Sequence, residues 1–149
     1  MDKQEIQETL GRRFLLGEMM ARNSRKFPDK EALVYGDIRL TYRQLNERIN
    51  QLAHALLDSG IKNGSKVAIL SFNNNQFLEA YFALAKIGAV AVPLNFRLHP
   101  EELTYITHNS DAEAFIVGEA FVEMVSGIRK DLPQVKNYIS ATDKPVAEM

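Results

Sequence analysis

The residues able to do chemistry are few and scattered. Three consecutive asparagines, Asn73-Asn74-Asn75, and a lone arginine, Arg97, each follow a run of apolar, strand-forming residues. If those runs are parallel strands, both features lie at the carboxyl edge, where open α/β sheets bind ligands. A helix beginning at the asparagines would offer unpaired N–H groups to an anion; the plainer reading is that asparagine caps the helix. Arg97 is either a phosphate ligand or a solvated surface residue. Glu101 and Glu102 are adjacent at a helix start and point about 100° apart. They suit the positive end of the helix dipole better than a general acid/base pair.

The remaining search excludes more than it finds. His54, His99 and His108 are dispersed, and the chain has no cysteine, so thiol chemistry and cysteine-ligated zinc or iron–sulfur sites are not expected. No G-x-x-x-x-G-K-[ST] or G-x-G-x-x-G phosphate loop occurs, and Ser65 lacks the G-x-S-x-G setting of a nucleophile elbow. Tyr81, Phe82 and Leu84 read as core rather than as the wall of an acyl pocket.

The elements that would position Asn73-Asn74-Asn75 and Arg97 follow from periodicity. Residues 12–26 predict an amphipathic helix stopped by Phe27-Pro28, because the residue before proline disfavours helical geometry. Residues 31–35 and 38–42, joined by Gly36-Asp37, predict a β-hairpin. Thr41 and Gln44 have capping-box spacing. After them Leu45, Ile49, Leu52, Ala53, Leu56 and Leu57 form a helical stripe closed by Gly60. Residues 66–72 and 89–93 predict two buried parallel strands around an apolar helix over 76–87 that ends at Gly88. Past the loop 94–99, Pro100 opens a further helix. A strand over 114–117, a short helix over 120–130 and a strand over 135–139 complete the pattern.

Composition bounds the functional class. The 149 residues carry 46% apolar and 25% charged side chains, as one self-sufficient globular domain does. Eighteen basic and nineteen acidic residues give a net charge of −1. Up to Asn75 there are twelve basic and nine acidic residues, and after it six and ten, so neither half has the basic face of a nucleic-acid binder. The polar, acidic start is unlike a signal peptide, and no apolar run is long enough for a membrane span. A cytoplasmic protein is expected.

Three segments in order resemble one family. They are Phe27-Pro-Asp-Lys-Glu-Ala-Leu-Val34, Leu40-Thr-Tyr-Arg-Gln-Leu45 and Leu84-Ala-Lys-Ile-Gly-Ala-Val-Ala-Val-Pro-Leu-Asn95. Together they resemble the amino-terminal portion of the adenylate-forming enzymes, a group spanning acyl-CoA synthetases, luciferases and peptide-synthetase adenylation domains. The continuation Asn95-Phe-Arg-Leu-His-Pro-Glu-Glu-Leu103 resembles the acyl-CoA synthetase branch. The resemblance covers residues 14–139.

The resemblance implies an α/β fold: a mostly parallel sheet flanked by helices, with an N-terminal β-hairpin. It implies an enzyme that uses ATP and Mg²⁺ to turn a carboxylic acid, foremost a fatty acid, into an acyl-adenylate, and then transfers the acyl group to coenzyme A. It also implies that Arg97 lies near the nucleotide end of coenzyme A, with no catalytic residue and no metal ligand in this chain. The family's Ser/Thr/Gly-rich phosphate loop, adenine motif, ribose-binding Asp and catalytic Lys have no counterpart in these 149 residues. The expected organisation is a polar extension over 1–11, a partial N-terminal domain over 12–140 and a polar tail over 141–149. A stand-alone binding module and part of a peptide-synthetase adenylation domain remain open as alternatives. Apolar surface left exposed on such a domain would favour a homodimer.

Overall fold

The computed structural model describes residues 15–141, so the expected extension over 1–11, residues 12–14 of the expected first helix and all but Ala141 of the expected tail lie outside the described residues. Leu15, expected within that helix, is extended and precedes it. Helix α1, Leu16–Lys26, is followed by the antiparallel hairpin β1, Glu31–Tyr35, and β2, Ile38–Thr41. Tyr42, expected in the second hairpin strand, is instead the first residue of α2, Tyr42–Asp58. The expected capping box forms there: the Gln44 N–H donates to Thr41 Oγ1 at 3.3 Å, and the Thr41 N–H donates to Gln44 Oε1 at 2.9 Å. Leu45, Ile49, Ala53 and Leu56 of the predicted stripe are buried, while Leu57 at its margin is exposed.

Next come β3, Lys66–Leu70, α3, Asn75–Ile87, β4, Val90–Pro93, α4, Pro100–Asn109, and β5, Ala114–Gly118. The short helix expected over 120–130 is α5, Val122–Ile128, with a 3₁₀ turn on either side, and β6 is Asn137–Ala141. The last strand thus sits two residues beyond its expected place and takes in Ala141, the first residue of the expected tail. Gly60 and Gly88 leave their helices at φ 89° and 74°, the left-handed conformation expected of both.

The four parallel strands lie in the order β4-β3-β5-β6. Val67, Ile69, Ala114 and Ile116 face a core shared with α1, α2 and α3. Ala68, Leu70, Phe115 and Val117 face a second core built with α4 and α5. Two buried faces explain why β3 and β5 are continuously apolar, since burying each such side chain contributes roughly 1.5–3 kcal/mol.

One expectation fails. Residues 89–93 read as a second buried strand, yet β4 stands at the sheet edge with Val90 48% exposed. Pro93 fits that position, because a residue without an N–H cannot serve a central ladder.

Candidate functional site

The order β4-β3-β5-β6 contains a reversal. From β3 the chain moves outward to β4 and then returns across β3 to place β5 on the other side. Such a reversal separates the connecting loops at the carboxyl ends of the two middle strands and leaves a crevice between them. Here the crevice has a volume of about 350 Å³. Ser71, Phe72, Asn74 and Gln76 form its wall after β3, and Gly118, Glu119, Ala120 and Phe121 its wall after β5. Ser71 and Phe72, expected inside the strand, leave the sheet after Leu70 and become this wall.

The two walls meet closely at the base. A Cβ placed on Gly118 would stand 2.8 Å from Ser71 Oγ and 3.2 Å from Ser71 Cα, so only glycine allows this approach. Ser71 Oγ is buried with no hydrogen-bond partner among the described residues.

The asparagines divide their labour. Asn74 caps α3, its Oδ1 accepting the Phe77 N–H at 2.8 Å. Asn75 is buried and donates through Nδ2 to Glu79 Oε1 at 3.1 Å. Asn73 is exposed beside the hairpin residues 32–35. Of the three, Asn74 alone is the cap that the plainer reading expects.

Arg97 sits at the same sheet edge, in the loop after β4, and is exposed. Its N–H donates to Asn95 Oδ1 at 3.0 Å, which fixes the turn, and its guanidinium lies 5.7 Å from the centre of the Phe96 ring. It has no acidic partner among the described residues, so its charge faces solvent. Phe96 is one of three phenylalanines that converge from three strand-end loops. Ring centres are 5.0 Å apart for Phe72 and Phe96, 4.8 Å for Phe72 and Phe121, and 6.3 Å for Phe96 and Phe121.

The other candidates resolve as structure. Glu102 Oε2 accepts the His99 N–H at 2.9 Å and closes the start of α4. His54, His99 and His108 are all exposed and remote in sequence from one another. Phe82 and Leu84 are core, and Tyr81 stacks on Phe77. No three His, Cys, Asp or Glu side chains converge among the described residues.

Burial lowers the Lys86 pKa, with Glu18 opposing, and burial raises that of Tyr138, with Arg129 opposing. The hydrogen bond and charge of Lys66 hold Asp111 below the usual carboxylate range. None of the three lines the crevice.

Sequence reasoning missed two features. Glu79 is buried inside an apolar helix, bound by Arg48 and Asn75. Its four-residue spacing from Asn75 was the available signal. The aromatic trio had no local signal, because its members come from different loops.

Fold and edge together define a doubly wound α/β domain with a crevice at its strand reversal. A family profile described as AMP-binding enzyme matches residues 20–149. The medium/long-chain-fatty-acid–CoA/3-oxocholest-4-en-26-oate–CoA ligase of Mycobacterium marinum is 37% identical over 116 residues, covering 78% of this chain and 21% of the relative. The 4-hydroxybutyrate–CoA ligase 2 of Metallosphaera sedula is 32% identical over 128 residues, covering 86% and 23%. The crystal structure of the anthranilate CoA ligase AuaEII in complex with anthranoyl-AMP superposes with a TM-score of 0.84 at 28% identity, covering 89% of this chain and 26% of that one. The chain belongs to the AMP-binding enzyme family, and it spans about one-fifth of the length of the curated relatives it matches.

Proposed function

We propose that this chain is the N-terminal structural part of an AMP-forming acyl-CoA ligase. The observation that carries the reading is the family match over residues 20–149, joined to relatives that are named CoA ligases. The whole enzyme joins a carboxylic acid, foremost a fatty acid, to the α-phosphate of ATP and releases pyrophosphate. The coenzyme A thiol then displaces AMP from the acyl-adenylate, which leaves a thioester. ATP and coenzyme A are its substrates, magnesium accompanies the ATP step, and the cytoplasm is its compartment. No residue here is assigned to the metal.

Within that enzyme residues 12–140 act as the partial N-terminal domain. Arg97 supplies a cation for the nucleotide end of coenzyme A, supported by its place at the ligand edge, its exposure and its lack of an acidic partner. The 149 residues by themselves carry out neither half-reaction. Exposed Val34, Tyr35 and Ile38 favour weak self-association. Sedimentation at two concentrations reads it, and a concentration-independent monomer removes it.

Two measurements test the reading. ATP–pyrophosphate exchange on the 149-residue protein with a panel of fatty acids should stay at background. The 149 residues alone are expected to bind ATP and coenzyme A poorly, so Arg97→Ala is made in the full-length enzyme. There it should raise the KM for coenzyme A and leave adenylation intact; unchanged thioester kinetics remove Arg97 from the site. Sequence of the gene past the codon for Met149 separates the rival classes. A Ser/Thr/Gly-rich loop ending in Lys supports the ligase, a stop codon supports a stand-alone module, and a carrier-protein sequence further on supports a peptide synthetase.

A further inference from the structure

The loop between α2 and β3 carries the only Asn-Gly pair in the sequence, Asn63-Gly64. Such a pair is chemically labile, because glycine places no side chain beside its own backbone nitrogen. That nitrogen attacks the side-chain carbonyl carbon of the asparagine, a C–N bond forms, and the side-chain nitrogen leaves as ammonia. Water then opens the cyclic imide at either carbonyl, which yields aspartate or isoaspartate. In the structure one residue, Gly88 at the end of α3, holds both reacting groups. The Gly64 N–H donates to Gly88 O at 2.9 Å. The Asn63 carboxamide fills the place a Gly88 Cβ would take, its carbon 3.1 Å from that point. The turn resists the reaction as well. The Ser65 N–H donates to Lys62 O at 2.9 Å, and Gly64, at 83°, has the only positive φ among residues 62–65. These features define a type II turn, whose second residue has ψ near about 120°. That angle swings the Gly64 nitrogen away from the Asn63 side chain. Ser65 Oγ accepts the Lys62 N–H at 3.1 Å and closes the turn from its other end.

We infer that Asn63-Gly64 is a deamidation site that the fold keeps shut, so that the bond reacts only when the turn opens away from Gly88. Local opening of this kind is a native-state event with its own free energy, separate from global unfolding. Every contact that guards the pair is made by this chain's own residues 62–88, so the guard does not depend on what else surrounds them. Isoaspartate at position 63 adds a methylene to the backbone inside the turn and leaves a carboxylate where the amide stood. The turn then cannot reclose on Gly88. Ser65 O also accepts the Val90 N–H at 2.8 Å, so the same lesion loosens the hold on β4.

The test incubates the 149-residue protein at mildly alkaline pH across a urea series, beside a synthetic peptide of residues 58–70. Peptide mapping by mass spectrometry reads the change from amide to acid at Asn63, and labelling by an isoaspartyl methyltransferase reads the isoaspartate. The folded protein should convert more slowly than the peptide by about tenfold or more, and the rate should climb with urea in step with unfolding. Ser65→Ala frees the Lys62 N–H and should speed conversion of the folded chain severalfold. A folded protein that converts as fast as the peptide overturns the guard. If neither the peptide nor the unfolded protein converts, Asn63-Gly64 is not a modification site. A folded Ser65→Ala chain that converts no faster than the unaltered protein overturns the part given to the turn. The comparison of the unaltered protein with the peptide needs no variant to fold.

Discussion

Arg48 on α2 and Glu79 on α3 stand thirty-one residues apart in the chain yet meet at two points, Nε to Oε1 at 2.8 Å and Nη2 to Oε2 at 3.1 Å. The Glu79 side chain is only 7% exposed, whereas that of Arg48 is 45% exposed. A parallel two-point contact fixes orientation as well as distance, so it sets how α2 lies on α3. Asn75 Nδ2 adds a third donor at 3.1 Å, which links the pair to the helix start beside the crevice.

Removing the cation strands a buried carboxylate. Arg48→Ala should therefore destabilise the fold by about 2–3 kcal/mol, below the full cost of breaking a buried pair because Arg48 is partly solvated. Replacing both residues by Arg48→Met and Glu79→Leu should recover most of that loss. Urea unfolding of the four proteins checks it, and a double variant no more stable than Arg48→Ala would contradict the account.

Two glycines mark places where backbones touch. A Cβ on Gly17 would stand 2.6 Å from Ala85 O and 2.7 Å from Lys86 Cα, both backbone atoms of α3. Gly17→Ala must push α1 off α3 and should cost about 1–3 kcal/mol. Gly118→Ala meets Ser71 instead, so Ser71→Gly in the same chain should restore part of the loss through a coupling of about 1 kcal/mol. Thermal melts of the single and double variants measure both effects.

Acid stability should report on Asp111. Its Oδ2 accepts from Lys66 Nζ at 2.8 Å, and that hydrogen bond and charge lower its pKa in the fold. Because the folded value lies below the unfolded one, the contribution is whole above the usual carboxylate pKa. It is lost as pH falls through the folded value. Asp111→Asn should flatten the acid limb of a urea-midpoint profile while tolerating the positive φ of 54° at this position. An unchanged acid limb would show that other carboxylates set it.

The start of α2 depends on one hydroxyl. Thr41→Ala removes the acceptor of the Gln44 N–H and should cost about 1 kcal/mol, while Thr41→Ser should cost far less. Hydrogen exchange at the Gln44 amide reads the same event locally, rising in the alanine variant.

Local pattern by itself determined most of the elements. The stripe from Leu45 to Leu56 with the Thr41 and Gln44 box places α2, Gly36-Asp37 places the hairpin, and the continuous apolar run from Val67 to Leu70 places a strand buried on both faces. These signals are legible because each depends on neighbours within one or two turns of chain. The motif order along the chain also pointed to the family. Tertiary structure alone decided the rest. The run before Pro93 is as apolar as the core of β3, yet strand order puts β4 at the sheet edge. Apolar content cannot tell inner strands from outer ones, because pairing is set by contacts between distant segments. Burial of Glu79 likewise needed Arg48 to arrive from another helix. Phe72, Phe96 and Phe121 became one aromatic surface only because the reversal between β4 and β5 gathers three loops at a single edge.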